Sequence, residues 1–153
     1  MMALNQQTGS ALIVSLLFLL ILTILGVAGI QTTSMQERMS GNMRDRNMAF
    51  QAAEAALRGG EDYVRDNSDN EALFDGEELA DPATWDGTGG TTHAVSDMLS
   101  ENPKYFVSEP GLYRVNPGEL PAEFHNIFPV NAIGWGGTNI TSIVVETRFR
   151  PVQ

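Results

Sequence analysis

Met1 to Gln36 contains no charged residue, and this constrains the chain more than any other feature. Within it, Ala11–Ile30 reads ALIVSLLFLLILTILGVAGI, interrupted only by Ser15, Thr23, Gly26 and Gly29. As an α-helix this run rises roughly 30 Å, the thickness of a bilayer core. Ser15 and Thr23 can bond back to helix carbonyls, so they are tolerated there. A cleaved secretory signal fits poorly, because it needs a basic start and a shorter apolar stretch. No Lys or Arg precedes Ala11. Two readings remain: a plain single-span anchor, or a segment trimmed ahead of the apolar run that keeps its helix.

After Ile30 the pattern turns amphipathic. Met35, Met39, Met43, Phe50, Ala53, Leu57 and Val64 recur mostly at three- or four-residue steps, with a seven-residue gap from Met43 to Phe50. Opposite them lie Gln36, Glu37, Arg44, Asp45, Gln51, Glu54 and Arg58. The stretch AFQAAEAALR is rich in helix formers, and no proline falls between Ala11 and Arg58. One helix is therefore expected to run to about Asp66. Ser40-Gly41 is the expected bend, and Gly59-Gly60 an end or weak point. The methionine stripe, with Phe50, Ala53 and Leu57, is read as helix packing against the domain that follows, since methionine is an adaptable core filler.

Residues 67–92 carry turn signals: DNSDN, DG, DP and DGTGG. Short helical turns are expected at 77–80 and 94–99. Strands are expected at 105–108, 112–115, 124–135 (with a break at Pro129) and 140–150. In the last, Ile143, Val145, Thr147 and Phe149 share one face by period two. Gly134, Gly136, Gly137 and Asn139 mark a hairpin before it. Strands clustered after one long helix predict an α+β fold, with the exposed half of the helix laid on a small antiparallel sheet.

The formal net charge is -10. From Glu61 to Glu123 the only bases are Arg65, Lys104 and Arg114, so the domain repels phosphate backbones and no nucleic acid partner is expected. There is no cysteine, which excludes thiol chemistry and Cys-ligated zinc. His93 and His125 fall in separate contexts without a catalytic signature, and no enzyme activity is expected. Asp62, Asp66, Asn67, Asp69, Asn70 and Glu71 offer oxygen ligands, with Asp66 and Asp69 the weak calcium candidates. The run lacks EF-hand spacing and its glycine, so a solvated acidic loop is the expected reading, with no metal and no cofactor. WDGTGGTTH and GWGGTN lack the lysine and the strand–loop–helix setting of phosphate loops.

A short polar leader ending in Gly9, then Ser10-Ala11-Leu12-Ile13 and a long apolar helix, resembles a type IV prepilin-like signal. The continuation is more specific. GSALIVSLLFLLILTILGVAGIQTTSMQERMSGNMRDRNMAFQAAEAALRGGEDYV resembles the N-terminal region of the PilX family of type IV pilus assembly proteins, and QERMSGNMRDRNMAFQAAEAAL is its most discriminating part. The resemblance implies a type IV pilin-like fold. It divides the chain into a leader (1–9), a transmembrane segment (10–36), an amphipathic continuation (37–66) and a periplasmic sheet-containing domain (67–153). It implies a non-catalytic minor pilin, held in the inner membrane and later at the pilus tip. A prepilin peptidase would cut between Gly9 and Ser10 and methylate the new amine of Ser10. Implied partners are other minor pilins and a tip adhesin, in a complex that primes pilus assembly.

Two features depart from that pattern. Pilins usually carry glutamate at the fifth mature position, which is Val14 here. A carboxylate in a bilayer needs a positive partner, thought in pilins to be the amine of a neighbouring subunit. Val14 cannot make that pair, which by resemblance points to a subunit at the tip. The leader also lacks Lys and Arg, while Arg38, Arg44 and Arg46 flank the other end, so charge alone favours the opposite orientation. The alternatives are a minor pseudopilin of a type II secretion system and a membrane-tethered periplasmic binding domain.

Overall fold

The computed structural model describes the backbone of residues 8–151 and the side chains of 10–151. Residues 1–7 of the expected leader lie outside the described residues. The first element is one helix, α1 (Thr8–Asn67), followed by β1 (Thr91–Thr92), β2 (Lys104–Val107), β3 (Gly111–Arg114), β4 (Phe124–Trp135) and β5 (Ser142–Phe149). The chain divides into two units, Met1–Asn42 and Met43–Gln153. The second unit thus includes the last part of α1 together with every strand.

In the first unit all described residues are helical, through Ser40-Gly41 as well. Every large apolar side chain from Leu12 to Ile30 is exposed. The hydroxyls do not interrupt this surface. Ser15 Oγ donates to the Leu12 carbonyl at 2.8 Å and Thr23 Oγ1 to that of Leu20 at 2.8 Å. Thr32 and Thr33 do the same one turn back, to Ala28 and Gly29, at 3.0 and 3.1 Å. A helix apolar all round, with its polar groups satisfied internally, is suited to lipid or to burial among other helices.

In the second unit, β4 is the spine of an antiparallel sheet. β5 runs along one side of it, from Phe128↔Phe149 to Trp135↔Ser142. β2 and β3 lie end to end along the other side, at Lys104↔Ile133 to Val107↔Val130 and Gly111↔Ile127 to Arg114↔Phe124. Between them residues 108–110 oppose only 128–129, a bulge of one extra residue. This is why Pro129 does not break β4, contrary to expectation. Its missing N–H faces the bulge, and its carbonyl still accepts from Ser108 N at 3.1 Å. β1 pairs with the outer edge of β2.

The stretch of α1 after Met43 packs on the sheet face formed by Phe128, Val130, Ala132 and Gly134. Its buried positions are Ala49, Ala52, Ala53, Ala56, Gly60 and Val64, spaced at helical steps. Val64, Phe74, Phe128 and Val130 form a buried apolar cluster, flanked by Leu57, Tyr63, Val107 and Phe149. The other sheet face is covered by the segment after α1. Trp85 is buried there with its ring 6.1 Å from Phe106, and its indole N–H donates to the Thr88 carbonyl at 3.0 Å. Lys104 Nζ sits 5.3 Å from the Trp135 ring centre, a cation–π contact.

The helical turn expected at 77–80 does not form, and that expected at 94–99 is reduced to one hydrogen-bonded turn, Leu99 N donating to the Ser96 carbonyl at 3.4 Å. Turns of 3-10 helix appear instead at Glu71–Leu73 and Pro82–Thr84. At the second, Asp81 accepts from Ala83 N at 3.1 Å and Pro82 occupies the first turn, so the DP pair starts a helical turn. Residues 77–80 have no such cap, and Glu78 instead reaches Arg148 on β5 at 2.7 Å.

Candidate functional site

Among the described residues no cluster of metal-binding groups gathers, so the candidate site is α1 and the sheet face that its last part packs on. The expected packing stripe needs correction. Met43 and Phe50 are 64% and 46% exposed, Leu57 is partly buried, and Val64 is fully buried. These four residues are separated by seven-residue steps, and on a straight α-helix each such step slips by about 20°. The stripe therefore winds around α1 and enters the core only at Leu57 and Val64. Small residues line the true contact face, and of the expected set Ala53 lies on it, with no exposure. In the first unit Met35 and Met39 are 66% and 60% exposed.

The small residues permit an unusually close approach of helix and sheet. A Cβ added at Gly134 would lie 2.3 Å from Ala53 N and 2.4 Å from Ala49 O, backbone against backbone. Gly60 meets Val130 Cγ1 at 2.6 Å, and Gly59 meets His93 Nδ1 at 2.7 Å, on the same construction. Gly59-Gly60 is thus neither an end nor a weak point. The helix runs through it, and the missing side chains make room for β2, β4 and His93. Its helix propensity cost is about 1 kcal/mol per glycine, which the buried contact offsets.

Asp45 fastens the same helix to the β4–β5 turn. Its carboxylate accepts from Thr138 N at 3.1 Å and Thr138 Oγ1 at 2.7 Å. Hydrogen bonds from the Thr141 and Thr138 side chains hold its pKa below the usual 3.8. Sequence reasoning placed Asp45 on the solvent face. The only available signal was an acid facing a Gly-Gly-Thr turn distant in sequence, which no periodicity reveals.

The expected processing positions lie at the start of α1, with Gly9 helical, Ser10 exposed and Val14 51% exposed. The calcium candidates Asp66 and Asp69 are exposed. Their neighbours are engaged elsewhere: Asp62 with Arg65, Asn67 Nδ2 donating to the Tyr63 carbonyl at 2.8 Å, and Glu71 accepting from Asn126. Among the described residues no three His, Asp or Glu side chains gather as a metal-binding group. His93 packs over Gly59, whereas His125 contacts Glu123 at 2.7 Å.

The family model described as PilX N-terminal matches residues 8–58. The matched segment, about one third of the chain, is similar to the N-terminal region of PilX proteins and supports a relation to type IV pilus assembly proteins. No curated protein and no solved structure gives a significant match. The PilX region takes in the exposed apolar stretch, Asp45 and the alanines of the contact face, and ends just before Gly59-Gly60. The long helix, long and apolar enough to cross a membrane, and the small antiparallel sheet form the α+β layout of a pilin-like protein.

Proposed function

We propose that this protein is a non-catalytic minor pilin of a type IV pilus that takes part in the priming complex at the pilus tip. The observation that carries the proposal is the PilX match over residues 8–58 on a helix that is apolar and exposed from Leu12 to Ile30. Such a helix works by packing. In the membrane, close van der Waals contact between helices substitutes for hydrophobic drive. Gly26 and Gly29, which have no neighbour within 4 Å of an added Cβ, leave room for a second helix to approach. Val14 supports a place at the tip, because it gives a subunit above nothing to pair with.

The periplasmic domain would associate with other minor pilins and a tip adhesin. The test is N-terminal sequencing of the membrane-extracted protein, expressed with and without a prepilin peptidase. A chain beginning at methylated Ser10 only when the peptidase is present is the expected result. A chain that stays uncut in its presence would end the proposal. Deletion separates the secretion-system alternative: loss of twitching with secretion intact is expected.

A further inference from the structure

β4 is longer than its partner on one side. β3 pairs with residues 124–127, but β5 begins its pairing only at Phe128. Backbone groups alternate in direction along a strand. Val115 N donates to the Glu123 carbonyl, and Ser108 N to that of Pro129, so the odd residues of β4 face β3 and β2. Gly136 N donates to the Thr141 carbonyl, so the even residues face the β5 side. The N–H and C=O groups of Phe124 and Asn126 therefore point to the side that β5 does not reach. Among the described residues no hydrogen-bond partner meets these four groups.

Pro151 explains why β5 stops. Continued in register, it would stand opposite Asn126, at a position that must donate to the Asn126 carbonyl, and proline has no N–H. A cavity of about 610 Å³ occupies this place, lined by Leu112, Phe124 and Phe128 with Asn126, Arg150 and Ser68 among its polar edge. Leu112 and Phe124 are 68% and 51% exposed. Among the described residues the Arg150 guanidinium has no ion-pair partner, in a chain of net charge -10.

We propose that this open edge, Phe124–Asn126, with the cavity beside it, binds an extended segment of another protein by strand addition. The backbone groups call for a strand, because only another peptide backbone presents donors and acceptors at matching spacing. The apolar wall of Leu112, Phe124 and Phe128 calls for an apolar side chain at alternate positions. Arg150 calls for an acidic side chain at the end nearest β5.

The test is amide hydrogen exchange on the full chain in detergent, read by NMR. The probe is an acetylated hexapeptide of alternating valine and threonine ending in aspartate, with a lysine-ended peptide as control. The aspartate peptide is expected to slow exchange at the Phe124 and Asn126 amides by about tenfold at saturation, leaving His125 and Ile127 unchanged. Arg150→Gln is expected to weaken the aspartate peptide about threefold, the scale of an exposed charge pair, and not to weaken the lysine peptide. No slowing at either amide with millimolar peptide overturns the proposal. So does protection already present without peptide, which would mean the chain fills its own edge. Protection that rises with protein concentration alone would assign the edge to a second copy and equally overturn it.

Discussion

Gly134→Ala is the sharpest test of how the helix is seated. The added methyl would stand 2.3 Å from Ala53 N and 2.4 Å from Ala49 O, and neither is a side chain that can swing aside. Ordinary contact needs about 3.5 Å, so helix and strand must separate by roughly 1 Å. A gap of that size forfeits about a quarter to a half of the dispersion attraction at each affected contact. The loss would fall on Ala49, Ala52, Ala53 and Ala56, which are at most 2% exposed. Overpacking of this kind costs about 1–3 kcal/mol and occasionally more, and a rigid backbone contact places this case near 3 kcal/mol. That is a large share of the roughly 5–15 kcal/mol that holds a typical domain together. Trp85 and Trp135 both report on the second unit, so urea unfolding of the full chain in detergent can be followed by their fluorescence. With a urea slope of about 1–3 kcal/mol per molar, the midpoint should fall by roughly 1–3 M. Gly41→Ala is the control, since nothing lies within 4 Å of its added Cβ, and its midpoint should hold or rise. If Gly134→Ala kept its midpoint within about 0.3 M of the parent, the close approach of α1 and β4 would be refuted.

Phe50→Ala should change stability by less than about 0.5 kcal/mol because the ring is exposed, whereas Phe74→Ala should cost about 3–5 kcal/mol, both read from the same urea midpoints. The carboxyls of Asp45 and Asp86 are held below 3.8 by hydrogen bonds from Thr141 and Thr138, and from Thr88, respectively. The unfolded chain therefore takes up their protons first as pH falls through 3.8. Their contribution is complete above that pH and is lost as pH drops through the folded values, so Asp45→Asn should flatten the acid limb of a midpoint-against-pH curve. At the alkaline end burial, aided by Tyr63, raises the Tyr105 phenol above 10.0, and stability should fall as pH rises past that value. Val14→Glu should displace the protein from the tip or reduce piliation, scored by immunogold labelling; unchanged position and piliation would leave the tip assignment without support.

The elements were legible where one local rule acted alone. The period-two run at Ile143–Phe149 and the glycines before it placed β5 and its hairpin, and all four named residues share the helix-facing side of the sheet. The apolar run and the PilX-like continuation placed α1 to within a residue of its end. What was not legible depended on partners far along the chain. Met43 and Phe50 looked like core because they are apolar at roughly helical spacing. Only the approach of β4, set by Gly134, selected the alanine face and left those two residues in solvent. Gly59-Gly60 looked like a break because glycine weakens an isolated helix. Its role depends on Val130, Tyr105 and His93 lying against it. Pro129 looked like the end of a strand until the bulge at 108–110 removed the need for its donor.

The uncharged apolar run can be named from sequence alone, because hydropathy and length need no tertiary partner, and Gly9 and Ser10 are the processing positions that the resemblance implies. The choice of helix face, the Asp45 tether and the edge at Phe124 and Asn126 that β5 does not reach belong to the folded structure. Each arises from two segments many residues apart meeting at one register, and sequence order carries no record of that distance.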